Sequence, residues 1–580
     1  MNKRADSSFF HEGYNGRKVL VLVPHQDDEV LTGAALTLRL TQAGADVYIV
    51  YATNGDWKYP AEIRYKEAAE AAGILGVDAS HLFFLGYGDA YNNENFDHLF
   101  YRKEGCCVSA SGHVQTYGAN GRNEYAFLRY GEHRDYTSTS YLRDLTDVIR
   151  QIRPEMIICT DLDEHPDHRM LSLYTDRAIG ILRREDPSFK PVLWKRFAYA
   201  LAYTATPDYS EVNNHQTLRP QIGLTDKYEY DIIDKSIYRW ASRVRIPVPD
   251  HDKSIRNNVI VKALLAHRSQ HVVTRADRIL NSDEVYWERR MDSVGCTAQV
   301  TASSGNPACL LDNLLLNLTD VDARRETFCD YCWKPADDDE AGTAVFTWEE
   351  PVTIERIALY GAVSTESGID KVRIRLSDGF CTDAGPLPQS GEPLTVDTGH
   401  REGITQCSIS IISCHGDDFG ISECEFFSTK EYEKLIRPFV KLTVKGNFVY
   451  DHYITDDVTT LELGCYRYGD CGRLTLEVVS GKSVLDGKVL CIDREDKRIV
   501  VRVCDQSGDI WDRIVIHRLT ASQLAGKKLQ NKAEKRFLKR KRAEKKAANM
   551  LFILKKDGPG AVVRRTWNNV IAPGIRRLGS

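Results

Sequence analysis

The apolar positions of residues 18–183 recur with two alternating periods. Lys18–Val23 (KVLVLV) is an unbroken apolar run that stops at Pro24, the pattern of a parallel strand buried on both faces. Val30, Leu31, Ala34, Leu38 and Leu40 then follow at helical spacing and give out near Gly44. A second strand is predicted over residues 47–52 (VYIVYA). A second helix is predicted over 64–75, with Ala68, Ala69, Ala72 and Leu75 on one stripe and Gly76 beyond its end as a stop. Residues 82–85 form a third strand, Ser138–Ile152 a helix through Leu142, Leu145, Val148, Ile149 and Ile152, and residues 156–159 another strand. This rhythm predicts a Rossmann-like α/β domain with a mainly parallel sheet, in which ligands bind beyond the carboxyl ends of the strands.

The pattern reads as helical again from about 251 to 290 and changes character after Val294. Helical spacing disappears, Thr, Val, Ile and Gly rise, and turn residues recur at short intervals. TAVFTW, TIERIALYG, KVRIRLSDG and CSISIIS within 343–428 predict one β-sandwich. KLTVKG, TTLELG, RLTLEVV and RIVVRVC within 437–518 predict a second, smaller one. A basic helical stretch and a Gly-Pro-Gly break close the chain. The expected division is 1–295, 296–430, 431–520 and 521–580.

Composition adds one asymmetry. The formal net charge is -5, but residues 521–580 hold 17 Lys/Arg against 3 Asp/Glu, or +14, which leaves about -19 for residues 1–520. Eleven basic residues fall within 527–546, followed by the apolar Met550, Leu551, Phe552, Ile553 and Leu554. A basic helix of this kind suits an anionic membrane surface. Nucleic acid is not expected, because base-reading motifs and interleaved aromatics are missing. The N-terminus has no apolar signal segment, and no run of 18 apolar residues occurs. The 15 scattered cysteines then read as reduced thiols in a cytoplasm, with the peripheral face of a membrane as the expected station; Cys106-Cys107 and the Cys329/Cys332 pair lack zinc-ribbon spacing.

The chemistry lies in two clusters that directly follow predicted strands. Pro24-His25-Gln26-Asp27-Asp28-Glu29 opens a helix after the first strand, and Asp163-Glu164-His165-Pro166-Asp167-His168 follows the 156–159 strand. Two histidines and a carboxylate with an open position make a hydrolytic metal centre. A spare aspartate in the first cluster is a candidate general base, and a spare histidine in the second a candidate proton donor or oxyanion stabiliser. The bland alternative is N-capping by Asp-Asp-Glu and a solvated His-Pro turn.

These residues resemble the LmbE-like (PIG-L) N-deacetylases, whose signature is a P/A-H-P-D-D-E segment and a later H-P-D-H. Arg64 with Glu67 and the Leu75-Gly76 helix end, Gly86-Tyr87-Gly88-Asp89, and Lys262-Ala263-Leu264 with His267-Arg268-Ser269-Gln270 extend the resemblance over roughly residues 15–290. The resemblance implies His25, Asp28 and His168 as ligands of zinc or iron(II), and Asp27 as general base. It further implies His165 at the tetrahedral intermediate, Asp167 tuning His165 or orienting a metal ligand, and Arg64 and Asp89 on substrate hydroxyls or a phosphate. Gln26 stands where the family has Pro, and Ala34 where it has the second Gly of a pair.

Residues 91–136 exceed ordinary loop length and read as a substrate-covering insertion. The 308–428 region resembles discoidin-like (galactose-binding-like) jelly rolls through Leu311-Asp312-Asn313, Trp333, Phe346-Thr347-Trp348 and Gly420–Glu425, although Trp and Tyr there are more often core than sugar platforms. The expected activity is metal-dependent removal of an N-acetyl group from a GlcNAc-type amino sugar in an envelope glycan or glycolipid. The competing reading is a glycan-binding scaffold with a degenerate deacetylase domain.

Overall fold

A computed structural model describes residues 14–89, 105–161, 165–198, 243–249, 254–276, 282–315, 332–431 and 436–566, apart from 363, 365, 390, 391 and 437. Its first region is built from β1 (Lys18–Val23), α1 (Asp28–Gln42), β2 (Asp46–Thr53), α2 (Ala61–Ile74), β3 (Leu82–Tyr87), α3 (Tyr125–Tyr130), α4 (Ser138–Ile152), β4 (Met156–Thr160), α5 (Pro166–Glu185) and β5 (Val192–Arg196). β6 (Val244–Pro247), α6 (Val259–Ala266) and β7 (Asp283–Arg289) complete it. The sheet order is β3-β2-β1-β4-β5-β7-β6; the first five strands are parallel, β7 runs antiparallel to β5, and β6 at the edge runs antiparallel to β7. Alternation along β1 divides the core in two. Leu20 and Leu22 face α4 and α5, while Val19, Val21 and Val23 face α1 and α2. Burial on both faces is what the unbroken apolar runs require.

The helical reading of residues 251–290 is corrected. Helix α6 covers only Val259–Ala266, and residues 283–289 form β7. The aromatic and β-branched run Val285-Tyr286-Trp287 is buried in the sheet, where β propensity prevails. β7 also repairs a defect. Gly33 kinks α1 where the helix passes within van der Waals reach of Ile158, and Glu284 of β7 accepts hydrogen bonds from the backbone N–H groups of Ala35 (2.8 Å) and Leu36 (3.0 Å) just beyond the kink.

Two mainly antiparallel regions follow, with one parallel pair, Asp451–Ile454 against Ile510–Arg518, in the second. The first is a six-stranded sheet of β8 (Gln299–Ala302), β9 (Thr343–Gly361), β10 (Gly368–Leu376), β11 (Cys381–Ala384), β12 (Pro393–His415) and β13 (Ile421–Phe427). Trp333, Phe346 and Trp348 are buried in its core, as the sequence suggested. The second has a five-stranded and a four-stranded sheet over a shared core that includes Leu442, Leu463, Val501 and Ile514. Its Phe439 and Tyr468 join the core of the first region, Tyr468 meeting Trp194 edge-on at 6.1 Å. The chain closes with α7 (Ala521–Asp557), which a Thr520–Gln523 capping box starts, and α8 (Pro559–Thr566) after Gly558. Helix α7 returns to the first region, where Leu538 and Phe537 pack with Ile260, Leu264 and Val272 around α6.

Candidate active site

The order 3-2-1-4-5 reverses direction between β1 and β4, and both histidine clusters sit at the carboxyl ends of those two strands. Helices α1 and α5 begin there, so their positive ends converge on the site. Chain order thus brings together residues about 140 positions apart: His25 Nε2 lies 3.0 Å from Asp167 Oδ2, a sequence separation of 142.

Three donor atoms form a triangle. His25 Nδ1 is 2.9 Å from Asp28 Oδ2, Asp28 Oδ2 is 3.2 Å from His168 Nε2, and His168 Nε2 is 3.3 Å from His25 Nδ1. Tetrahedral ligands at zinc bond lengths stand about 3.3 Å apart, so the triangle fits one face of such a centre. The outer nitrogen of His25 then faces the Asp167 carboxylate, the support that metal-binding imidazoles ordinarily have. Burial opposes charge on His25, and the carboxylates of Asp89, Asp167 and Asp28 outweigh it, raising the imidazole well above its ordinary value. The same field favours a divalent cation. Burial pushes the Asp28 carboxyl up, yet His168 and His25 hold it well below the ordinary carboxylate range. A second group of donors, His25, Asp89, His165 and Asp167, shares the imidazole of His25 and is also buried.

His165 caps α5. Its Nδ1 accepts the backbone N–H of Asp167 at 3.2 Å, which leaves Nε2 to carry the proton of the neutral ring. Burial, reinforced by the neighbouring His25, pushes its pKa well below the ordinary value, so the ring is neutral. Asp27 lies at the mouth with φ of 147°, a left-handed value rare for a residue other than glycine. Burial raises its carboxyl pKa, and the guanidinium of Arg64, 3.6 Å away, limits the rise.

Sequence reasoning passed over the groups that hold this geometry. Glu29 Oε2 accepts the backbone N–H of Asp27 at 2.9 Å, and Glu29 Oε1 is 2.5 Å from His267 Nε2. His267 stood in the recognised closing stretch but carried no role there; its separation of 238 positions from Glu29 hid the pairing. Gln26 donates to the carbonyl of Thr53 at 2.7 Å and accepts from Arg64 Nε at 3.3 Å. Gly55, at φ of 58°, leaves room for both side chains; a Cβ there would meet them at 2.6–2.7 Å. Arg64 Nη1 is buried with no hydrogen-bond partner among the described residues. Asp89 Oδ1 is 3.9 Å from His25 Nε2, and its backbone N–H donates to Asp56 at 2.9 Å. Asp56 also accepts from Tyr117 at 2.6 Å and from Ser111, so residues 105–137 pack onto the loops after β2 and β3. Residues 91–104 of the expected insertion and Cys329 lie outside the described residues.

A family model described as PIG-L: GlcNAc-PI de-N-acetylase matches residues 20–179. The 1D-myo-inositol 2-acetamido-2-deoxy-alpha-D-glucopyranoside deacetylase 1 of Catenulispora acidiphila is 29% identical over 223 residues, which is 35% of this chain and 60% of the relative. The chain thus spans about 60% of the length of that curated relative. Among solved structures, N,N'-diacetylchitobiose deacetylase from Pyrococcus horikoshii is similar at 16% identity and a TM-score of 0.28, over 49% of this chain and 87% of that one. A deacetylase of the teicoplanin pathway is similar at 16% identity and a TM-score of 0.28, over 47% and 97%.

Proposed function

Residues 20–179 being a PIG-L (LmbE-like) deacetylase domain, we propose that the protein hydrolyses the acetamido group of a GlcNAc-type amino sugar held in a glycan or glycolipid conjugate. The observation that carries this reading is the donor triangle of His25, Asp28 and His168 with Asp27 beside it. A zinc or iron(II) ion held by these three would supply Lewis acidity, polarising the acetyl carbonyl and lowering the pKa of water.

Asp27 takes the proton of the attacking water, and its raised pKa suits it to hold that proton before passing it to the departing amine. Neutral His165, with its proton on Nε2, donates a hydrogen bond to the oxygen that gains charge as the carbonyl becomes tetrahedral. Asp167 orients His25 through Nε2 and fixes His165 through its backbone N–H. The orphan Nη1 of Arg64 is a donor that a substrate oxygen would satisfy, and Asp89 is an acceptor for a sugar hydroxyl.

The finer reading places the substrate in envelope-glycan synthesis at the cytoplasmic face of a membrane. The basic α7, with Met550, Leu551 and Leu554 exposed near its end, supports that station. The described residues contain no helix long and apolar enough to cross a membrane. In the discoidin-like region Trp333, Phe346 and Trp348 are committed to the core, so any glycan contact would fall to other side chains. Acetate release from a panel of N-acetylglucosamine conjugates, measured with metal content, tests the reading. Asp27→Asn is expected to keep about one equivalent of metal and to lose acetate release by at least about a hundredfold; full activity in that variant would remove Asp27 from its role.

A further inference from the structure

The second β region meets the first at the edge strand β6, and the contact leaves a gap. Along Thr460–Tyr468 the side chains alternate: Leu461 and Leu463 enter the core of their own region, while Tyr466 and Tyr468 pack against the first. Gly464 lies on the same face as the two tyrosines and pairs across the sheet with Thr443. A Cβ at 464 would stand 2.9 Å from Thr443 Oγ1, so the missing side chain is what keeps this spot open. The result is a cavity of about 260 Å³ between β6 and the strands Phe439–Val444 and Thr460–Tyr468. At about 30 Å³ per water it has room for about eight or nine waters, or for an organic molecule of that size.

Arg245 of β6 supplies the chemistry. It is 5% exposed, and its guanidinium lies 4.1 Å from the Phe448 ring centroid and 5.5 Å from that of Tyr466. Nε donates to Asp283, and Nη1 donates to the carbonyl of Gly446 at 3.0 Å. A two-residue hairpin turn presents that carbonyl, with Lys445 at φ of 48° and Gly446 at 79° between the paired Val444 and Asn447. Nη2 is buried with no hydrogen-bond partner among the described residues. Such a donor calls for an acceptor that the chain itself does not bring. Charge points the same way. Burial and repulsion from Arg245 lower the Arg243 guanidinium pKa to about 10, with the Asp283 carboxylate opposing, so positive charge is in surplus at this corner. The exposed Lys488 adds a second cation to the cavity wall, and the exposed Glu462 adds an acceptor.

We propose that this cavity binds a hydroxylated carboxylate of the sugar-acid class, with the carboxylate between Arg245 and Lys488, hydroxyls on Glu462 and Thr443, and the carbon skeleton against the Tyr466 ring. Two cations against Glu462 leave the lining one positive charge over, which matches a single carboxylate better than a phosphate dianion. An ionised Glu462 only accepts hydrogen bonds, so a ligand that also carries hydroxyl donors suits it. The site is composite, β6 giving one wall and the second β region the others. Its ligand is independent of the deacetylase reading, since none of the lining residues belongs to the donor triangle.

The test uses the full-length protein with Lys488→Glu, Gly464→Val, and Lys497→Glu, the last at an exposed lysine of the same region that does not line the cavity. Binding of glucuronate, of uncharged glucose and of inorganic phosphate is measured by calorimetry, and thermal unfolding checks that each variant is folded. The parent is expected to bind glucuronate, and to bind glucose and phosphate about tenfold more weakly or worse. Lys488→Glu is expected to weaken glucuronate by about tenfold or more, the scale of one hydrogen bond to a charged group. Gly464→Val puts a branched side chain into the cavity and removes binding, while Lys497→Glu matches the parent. Because Lys488 is exposed, its variant decides the matter even if Gly464→Val fails to fold. A parent that does not bind glucuronate overturns the site, as does parental affinity in Lys488→Glu or in a folded Gly464→Val. Equal losses in Lys488→Glu and Lys497→Glu overturn it too, since the attraction would then be general to the surface. Glucose bound as tightly as glucuronate overturns the charged contact. Phosphate bound more tightly than glucuronate, and lost in Lys488→Glu, overturns the carboxylate assignment and gives the cavity to a phosphate ester.

Discussion

Replacing His267 by alanine tests whether the base of the reaction is held in place from a distance. Asp27 occupies a backbone conformation that costs about 1–3 kcal/mol, and such strain persists only where the surroundings enforce it. The enforcing contact is Glu29, which accepts the Asp27 N–H through one oxygen and meets His267 through the other. Glu29 and His267 are both buried. Removing the imidazole leaves a buried carboxylate oxygen without its partner, a penalty of about 1–3 kcal/mol or more. If about that much of the restraint on Asp27 is lost, the relaxed backbone competes with the active one, and kcat falls by about ten- to hundredfold at 1.4 kcal/mol per decade. His267 does not touch the donor triangle, so about one equivalent of metal is expected to remain. Glu29→Gln keeps an acceptor for Asp27 and presents an amide N–H where the carboxylate accepted from His267, a bond a neutral imidazole can take by accepting at Nε2, and is expected to lose less than His267→Ala. The assay is kcat from acetate release beside metal content and a circular dichroism spectrum. A folded His267→Ala protein with parental kcat would refute the clamp, as would a loss that follows metal content alone.

Two further outcomes check other parts of the molecule. His168→Ala removes one corner of the triangle and is expected to lose bound metal and acetate release together; metal retained in full would shift the ligand set toward the group around Asp89 and His165. Asp312 is half-buried, and burial raises its carboxyl pKa to about 6 despite a hydrogen bond from the Leu314 N–H. A carboxyl raised in the folded state binds its proton before the unfolded chain does, so its cost is present above pH 6 and fades as pH falls toward the unfolded value. Asp312→Asn keeps the acceptor and is expected to stabilise by about 1–2 kcal/mol at pH 7, allowing for partial solvent screening, and by almost nothing at pH 4. A gain of equal size at both pH values in thermal unfolding would contradict this.

The parallel sheet was legible because each strand is buried on both faces and so writes an apolar run that depends on no partner. The histidine clusters were legible because the ends of β1 and β4 are adjacent in any 3-2-1-4-5 order, so two local motifs suffice to place them together. The clamp was not legible: Glu29 at a helix start looks like dipole compensation until His267 arrives from 238 residues away. β7 was hidden for a related reason. Asp283-Glu284-Val285-Tyr286-Trp287-Glu288-Arg289 is charged at both ends, and its worth lies in Glu284, whose carboxylate serves the kinked backbone of α1 249 residues earlier. The tail was read by charge as a helix looking outward, and its charge said nothing of Phe537 and Leu538 turning inward.

That inward turn has a consequence for synthesis. The packing around α6 lacks two of its members until the ribosome has passed both β regions, a delay on the order of tens of seconds at about 5–20 residues per second. The hydrolytic half is therefore begun first and finished last. A nascent chain carries its histidines and aspartates long before the helix that completes the packing around α6 exists, so the final packing of this region is timed by translation through residue 538.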